Sequence, residues 1–152
     1  MQGSISKTDA VAYVAVQVIG GILGVALAHL MFEAPIFAAS LNQRSGVSQW
    51  LAEFVATFGL IATIIGCLRF RPSAVPYAVG LFISAGYWFT SSTSFANPAV
   101  TIARTLTDSF SGIRPVDAPG FIAAQIVGAV VVTLFFRWLL KGDSATASRE
   151  SD

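Results

Sequence analysis

The sequence predicts an all-α membrane protein, with four transmembrane helices plus one re-entrant half-helix arranged as a partial inverted repeat. Three observations carry that prediction. The 152 residues are 55% hydrophobic and only 11% charged, against about a quarter charged in soluble domains. Four apolar stretches approach the roughly 20 residues that a bilayer-crossing helix needs. A short apolar segment opening on Asn97-Pro98-Ala99 sits between the last two of them.

In chain order, the spans are expected at about 10–32, 50–70, 74–93 and 119–141, all in one membrane domain over 1–141. The third is the shortest, and Val75-Pro76 suits its first turn, where proline's missing N–H is not needed. The half-helix is expected at about 97–107. There Asn97 is a good N-cap, because its side-chain oxygen accepts from an orphan backbone N–H, and Pro98 occupies the first helical position. Phe95–Ala103 is apolar but far too short to span. Backbone of that kind survives at membrane depth only when buried in protein or lining a watery cavity. Ser111–Gly120 (SGIRPVDAPG) reads as a turn-rich connection, with Asp117 placed to favour the start of the last helix. The polar run at 142–152 reads as a disordered tail.

With four spans both ends share a side. Lys7, Arg69, Arg71, Arg137, Lys141 and Arg149 fall on that side, and Arg44, Arg104 and Arg114 on the other. The positive-inside rule puts both termini in the cytoplasm. Trp50, Trp88 and Trp138 lie near segment ends, where interfacial anchors belong. A net charge of +1 offers no footprint for nucleic acid. One cysteine, Cys67, and one histidine, His29, make neither an internal disulfide nor a metal site, so metal and cofactor are both expected to be none. The polar first residues, with no cleavage site behind them, do not read as a signal peptide. No nucleophile–base pair or phosphate-cradling loop stands out, and no enzyme is expected.

The first and last spans align without gaps. Asp9 meets Asp117, Gln17 meets Gln125, Gly20 meets Gly128, and Tyr13 meets Phe121. Shared apolar letters are cheap, but an intramembrane glutamine and a glycine at one spacing favour duplication. The two copies run in opposite directions through the bilayer, an inverted repeat of the kind that builds transport pathways at its interface. By this alignment roughly 60 residues of the first copy, two spans and a half-helix, are missing. The chain reads as truncated.

These residues resemble the aquaporin and glycerol-facilitator (major intrinsic protein) family. Asn97-Pro98-Ala99, the intramembrane Ala52-Glu53-Phe54 with Thr57, and the paired Gln17 and Gln125 helices carry the resemblance over about residues 9–140. It implies a passive channel for small neutral solutes in a bacterial inner membrane, usually tetrameric, lacking here its first two helices and first Asn-Pro-Ala box. Asn97 would donate to passing solute at the pore centre, with Pro98 and Ala99 completing the box. The family's filter positions fall at Ala85, Ser94 and Val100. Most members have arginine where Val100 stands, whereas this chain has one a turn later, at Arg104. Small Ala85, small Ser94 and apolar Val100 imply a wide filter passing water, glycerol and metalloid hydroxides, since arginine-less filters resemble members found alongside arsenic-resistance genes. The rival readings are a non-conducting scaffold, or a fragment that conducts only after assembly with another chain.

Several of these residues also have plainer readings. An ionisable group within a span is costly and usually has a partner. By resemblance Glu53 holds the re-entrant loop, aided by Gln17 and Gln125, and no chain of acids accompanies it for proton transfer. Interhelical bonding suits both glutamines better than pore contact. Gly20 and Gly24, and Ala124 and Gly128, read as close helix contacts. His29 reads as an exposed interfacial histidine. Arg104 either guards the mouth or satisfies loop carbonyls.

Overall fold

The computed structural model describes residues 5–140, and these are all-helical. Helix α1 spans Lys7–Met31, α2 Val47–Phe70, α3 Val75–Phe89, α4 Pro98–Arg104 and α5 Ala118–Leu139, with a 3₁₀ turn at Pro72–Ala74 before α3. The expected tail at 142–152 lies outside the described residues.

The start of α1 is a reciprocal cap. Ser6 Oγ accepts from the Asp9 N–H at 3.1 Å and donates to Asp9 Oδ2 at 2.7 Å, which satisfies an orphan donor and places a carboxylate on the positive helix end. Among the described residues, α1, α2 and α5 are long and apolar enough to cross a membrane. The expected third span is shorter than predicted. Its helix has 15 residues, about 22 Å against a hydrocarbon core of about 30 Å. It stops because Thr90 turns extended, while its N–H and hydroxyl both donate to the Gly86 carbonyl, at 3.2 and 2.7 Å. The expected half-helix 97–107 also ends early, at Arg104. Incoming chain takes the carbonyls that follow: Ile113 N–H donates to Arg104 O, Ser40 N–H to Thr105 O, and Ala38 N–H to Leu106 O. Those bonds satisfy groups that would otherwise be orphaned at a helix C-terminus.

The chain divides into two compact units, residues 5–46 with 97–122, and residues 47–96 with 123–140. In the first, α1 packs on α4. A Cβ added to Gly21 would lie 3.1 Å from Ala103 Cβ, so the close contact is at Gly21, whereas Gly20 and Gly24 have nothing within 4 Å. In the second unit α2 packs on α3, and Gly128 of α5 meets the α2 backbone, where a Cβ would stand 2.9 Å from the Phe54 carbonyl oxygen. Small residues at such crossings let backbones close up without a hydrophobic drive.

The distribution of polarity is that of a membrane protein. Glu53, Gln125, Ser92, Ser94 and Thr101 are buried, while Leu23, Tyr77, Trp88, Phe135 and Trp138 are exposed. Lipid accepts apolar surface freely but leaves an unpaired polar group costly, so polar side chains are drawn inward to partners.

Candidate functional site

Residues 90–96 form a tight loop between α3 and α4, and its backbone is strained. Thr93, Ser94 and Ala96 take left-handed φ values of 63°, 50° and 50°. Side chains with a Cβ resist that region at about 1–2 kcal/mol per residue, and a β-branched threonine there is a clear outlier. The geometry turns successive N–H groups toward one point, and Glu53 fills it. Its Oε1 accepts from Phe95 N–H at 2.9 Å, and its Oε2 accepts from Ala96 N–H at 2.9 Å and from Gln125 Nε2 at 2.6 Å. Glu53 is fully buried and Gln125 nearly so. Hydrogen bonds to an ionised acceptor are roughly twice as strong as neutral ones, enough to hold the loop in a shape its residues disfavour.

Gln17 lies in the other unit. It is exposed on α1, whereas its repeat partner Gln125 is buried on Glu53. The reason is length: α4, which packs on α1, has only seven residues and covers about 10 Å of it, near Gly21 and beyond, leaving the N-terminal half of α1 open.

Gly86 brings α3 against the loop. A Cβ there would fall 2.6 Å from Ser94 Oγ, so only glycine leaves room for the Ser94 side chain, which is 2% exposed. Ala85, the neighbour of Gly86, is exposed. Thr57 Oγ1, Thr93 Oγ1 and Ser94 Oγ are buried without a hydrogen-bond partner among the described residues.

In the other unit, Asn97 caps α4 from an extended conformation (φ −157°, ψ 125°), and its Oδ1 accepts from Ala99 N–H at 2.8 Å. That bond commits the amide oxygen to the helix and leaves the amide nitrogen as the donor end. The Asn97 carbonyl accepts from both the N–H and the hydroxyl of Thr101, at 3.0 Å each. Pro98 is exposed and Ala99 is buried, while Val100 and Arg104 are half-buried on α4.

Val100 lines a cavity of about 490 Å³ in this same unit, together with Gly21, Val25, His29, Phe32 and Thr107. His29 is 8% exposed, which overturns its reading as an exposed interfacial residue. Its ring is drawn in by two partners, the Ile36 carbonyl at 2.9 Å from Nδ1 and Thr107 Oγ1 at 2.8 Å from Nε2.

Arg44, which sequence reasoning counted only for orientation, organises the loops beside the cavity. It is buried. Its N–H donates to Asp117 Oδ2 at 2.9 Å, Nε to the Gly112 carbonyl and Nη2 to the Phe110 carbonyl, both at 2.7 Å. Asn42 Nδ2 donates to the Ser109 carbonyl, and Arg114 pairs with Asp117 through Nε and Nη2, at 2.9 and 3.1 Å. Arg114 and Asp117 are three residues apart, but the partners of Arg44 and Asn42 lie about 70 residues away in the chain, and no spacing in the sequence announces them.

The Arg114 hydrogen bond holds the Asp117 carboxyl below its usual range, against the opposing push of burial and with help from the Arg44 N–H. A lowered carboxyl pKa stabilises the fold above the ordinary value of about 3.9 and loses that contribution as pH falls through the lower, folded value. Acidification below pH 4 is therefore expected to lower the protection of the Arg44 amide, the N–H that Asp117 accepts, relative to its intrinsic exchange rate at each pH. In Asp117→Asn the protection should be lowered already at neutral pH and be nearly flat with acid, and an unchanged acid response would remove Asp117 as its source.

A family model described as Major intrinsic protein matches residues 1–71 and 66–151. The protein described as Aquaglyceroporin AqpS of Rhizobium meliloti (strain 1021) is 55% identical over 141 residues, 93% of this chain and 60% of its own length. The chain thus spans about 60% of the length of that relative. No solved structure matches it.

Proposed function

The chain belongs to the major intrinsic protein family, and from that premise we propose that it is a passive channel chain for small neutral solutes. It is an integral membrane chain, with three helices of spanning length and composition among the described residues. In the proposal α3, extended by its 3₁₀ turn, acts as the fourth and shortest crossing. The residues after Ala96 re-enter the membrane, and both termini face the cytoplasm of a bacterial inner membrane.

The observation that carries this reading is the Glu53 carboxylate on the Phe95 and Ala96 N–H groups. It fixes a strained loop so that Asn97 emerges as the cap of a short helix, with its amide nitrogen free of the capping task. A fixed donor on a helix start orients solute oxygen, and the positive helix end disfavours cations. Ala85, Ser94 and Val100 form the filter in this proposal, and Arg104 stands at its mouth. Their small or apolar character suits solutes wider than water, glycerol and arsenite-type hydroxides among them, and the relative's printed name supports the glycerol class. The working form is a homo-oligomer, a tetramer by family resemblance.

The share of the relative that this chain spans favours a second reading, in which conduction needs assembly with another chain. Stopped-flow light scattering on liposomes holding the purified 152-residue chain separates the two. Glycerol and water flux above that of empty vesicles, lowered by Asn97→Asp, is the expected result. Flux at the empty-vesicle level overturns conduction by this chain alone and leaves assembly with another chain, or a scaffold.

A further inference from the structure

The second unit segregates its charge by end. Gln125 of α5 meets Glu53 of α2, Gly128 meets Phe54, and the Phe135 ring stands 6.0 Å from that of Phe58. Contacts that climb both helices in the same order mean that α2 and α5 run parallel. Their C-terminal ends therefore share a side. The short turn at Pro72–Ala74 sends the chain back from that side into α3, which packs along α2.

That side carries Arg69 in the last turn of α2, Arg71 just after it, and Arg137 in the last turn of α5. All three are exposed. Among the described residues of the unit the one acid is Glu53, about 24 Å from Arg69 along α2, where it holds the loop at the opposite end. No carboxylate of the described unit shares the arginine end. Large rings stand outward there instead, Phe70 at 82%, Tyr77 at 75% and Trp138 at 68% exposed. The Arg69 guanidinium carbon lies 5.8 Å from the Phe70 ring centroid, within cation–π range. Water suits the guanidinium groups and not the rings, hydrocarbon the reverse, and the membrane boundary suits both. Counted from the Gly128–Phe54 contact, Arg69 is about 22 Å along α2 and Arg137 about 14 Å along α5. Arg137 thus starts deeper, and its long stem reaches the boundary by snorkelling.

We propose that this end of the unit is a binding surface for anionic phospholipid. The guanidinium groups take the lipid phosphates, whose paired oxygens match the guanidinium fork, and the rings lie among the first acyl carbons. Phosphatidylcholine offers the same phosphate, but its own cation offsets the attraction, so the surface selects lipids with net negative charge. One basic residue at an anionic surface is worth about fivefold in affinity. The proposal needs only that the chain lies in a membrane. It requires neither conduction nor a particular leaflet on the cytoplasmic side.

Tryptophans mark both ends of the unit. Trp138 stands next to Arg137, while Trp50 opens α2 and Trp88 nearly closes α3, on the side of Glu53. Three single-tryptophan chains, with phenylalanine at the other two positions, are placed in symmetric vesicles of phosphatidylcholine and phosphatidylglycerol. Bromine on the acyl chains of one lipid or the other quenches a ring on contact and so reports its neighbour. The expected result is phosphatidylglycerol enriched at least about fivefold beside Trp138, and under about twofold beside Trp50 and Trp88. Replacing Arg69, Arg71 and Arg137 together by glutamine should bring Trp138 down to the level of the other two. Replacing them by lysine, which keeps the charge, should leave most of the enrichment. Quenching by brominated phosphatidylcholine shows that the glutamine chain still sits in the bilayer. Equal quenching by the two lipids at Trp138 overturns the proposal. So does an enrichment that survives the glutamine replacements, or one that is the same at all three rings.

Discussion

Replacing Glu53 by leucine is expected to collapse the loop before α4 and to cost more stability than any other single change considered. The side chain is fully buried and satisfies three donors, two backbone N–H groups and the Gln125 amide. Each buried donor left without an acceptor costs about 1–3 kcal/mol, and the held residues Thr93, Ser94 and Ala96 would be released from left-handed conformations they occupy only under constraint. Relief of that strain, and of the cost of burying a carboxylate, offsets part of the loss. A net destabilisation on the order of 3–5 kcal/mol remains, as when one partner of a buried charged network is removed. Glu53→Gln keeps one acceptor oxygen but turns an NH₂ toward a donor, so it should fall between the two. Denaturant titration in mixed micelles, followed by fluorescence of the three tryptophans, gives the stability. Amide exchange at Phe95 and Ala96 gives the local effect. Protected amides and a loss under about 1 kcal/mol in Glu53→Leu would mean that the loop stands without the carboxylate.

The same residues explain what the sequence discloses and what it hides. A carboxylate within an apolar run flags itself by its cost, which is why Glu53 could be singled out before any coordinates. The strain in the loop left no such sign. Left-handed positions normally announce themselves as glycine or asparagine, but here they are threonine, serine and alanine, held by a partner some 40 residues away. The repeat alignment paired Gln17 with Gln125 by spacing alone, and spacing says nothing of what packs against each. Gln125 donates to the Glu53 carboxylate, whereas Gln17 is exposed on α1. The ends of α3 and α4 differ from the expected bounds for a related reason. The polar residues after Phe89 and Arg104 do not themselves say where the helix stops; the backbone leaves it where Thr90 turns extended and where Ser40 N–H and Ala38 N–H, from distant chain, take the Thr105 and Leu106 carbonyls. His29 and Arg44 are buried by loops whose folding depends on bonds between segments about 70 residues apart. No periodicity encodes such contacts.

Val100→Arg is expected to change which solutes pass. In the proposed filter Val100 stands with Ala85 and Ser94, all small or apolar, while the chain's own arginine lies one turn on, at Arg104. The Val100 side chain is half-buried and faces the cavity it shares with Gly21 and Val25, so a guanidinium there meets space that is already lined. An arginine there fills part of that cavity of about 490 Å³. A solute that must pass the narrowed space is expected to lose on the order of ten- to a hundredfold in flux, a barrier of about 1–3 kcal/mol. The penalty falls on width, so glycerol and arsenite should lose most and water least. The added positive charge would act on ions more than on any neutral solute, which separates it from the steric effect. Stopped-flow measurements in liposomes of the conducting form, with water, glycerol and arsenite gradients on the same preparation, give the three ratios. Equal loss of all three, or no loss, would remove Val100 from the filter and with it the argument that a wide constriction selects the solute. Unequal loss in the expected order would place the selective step on α4, one turn from the Asn97 cap.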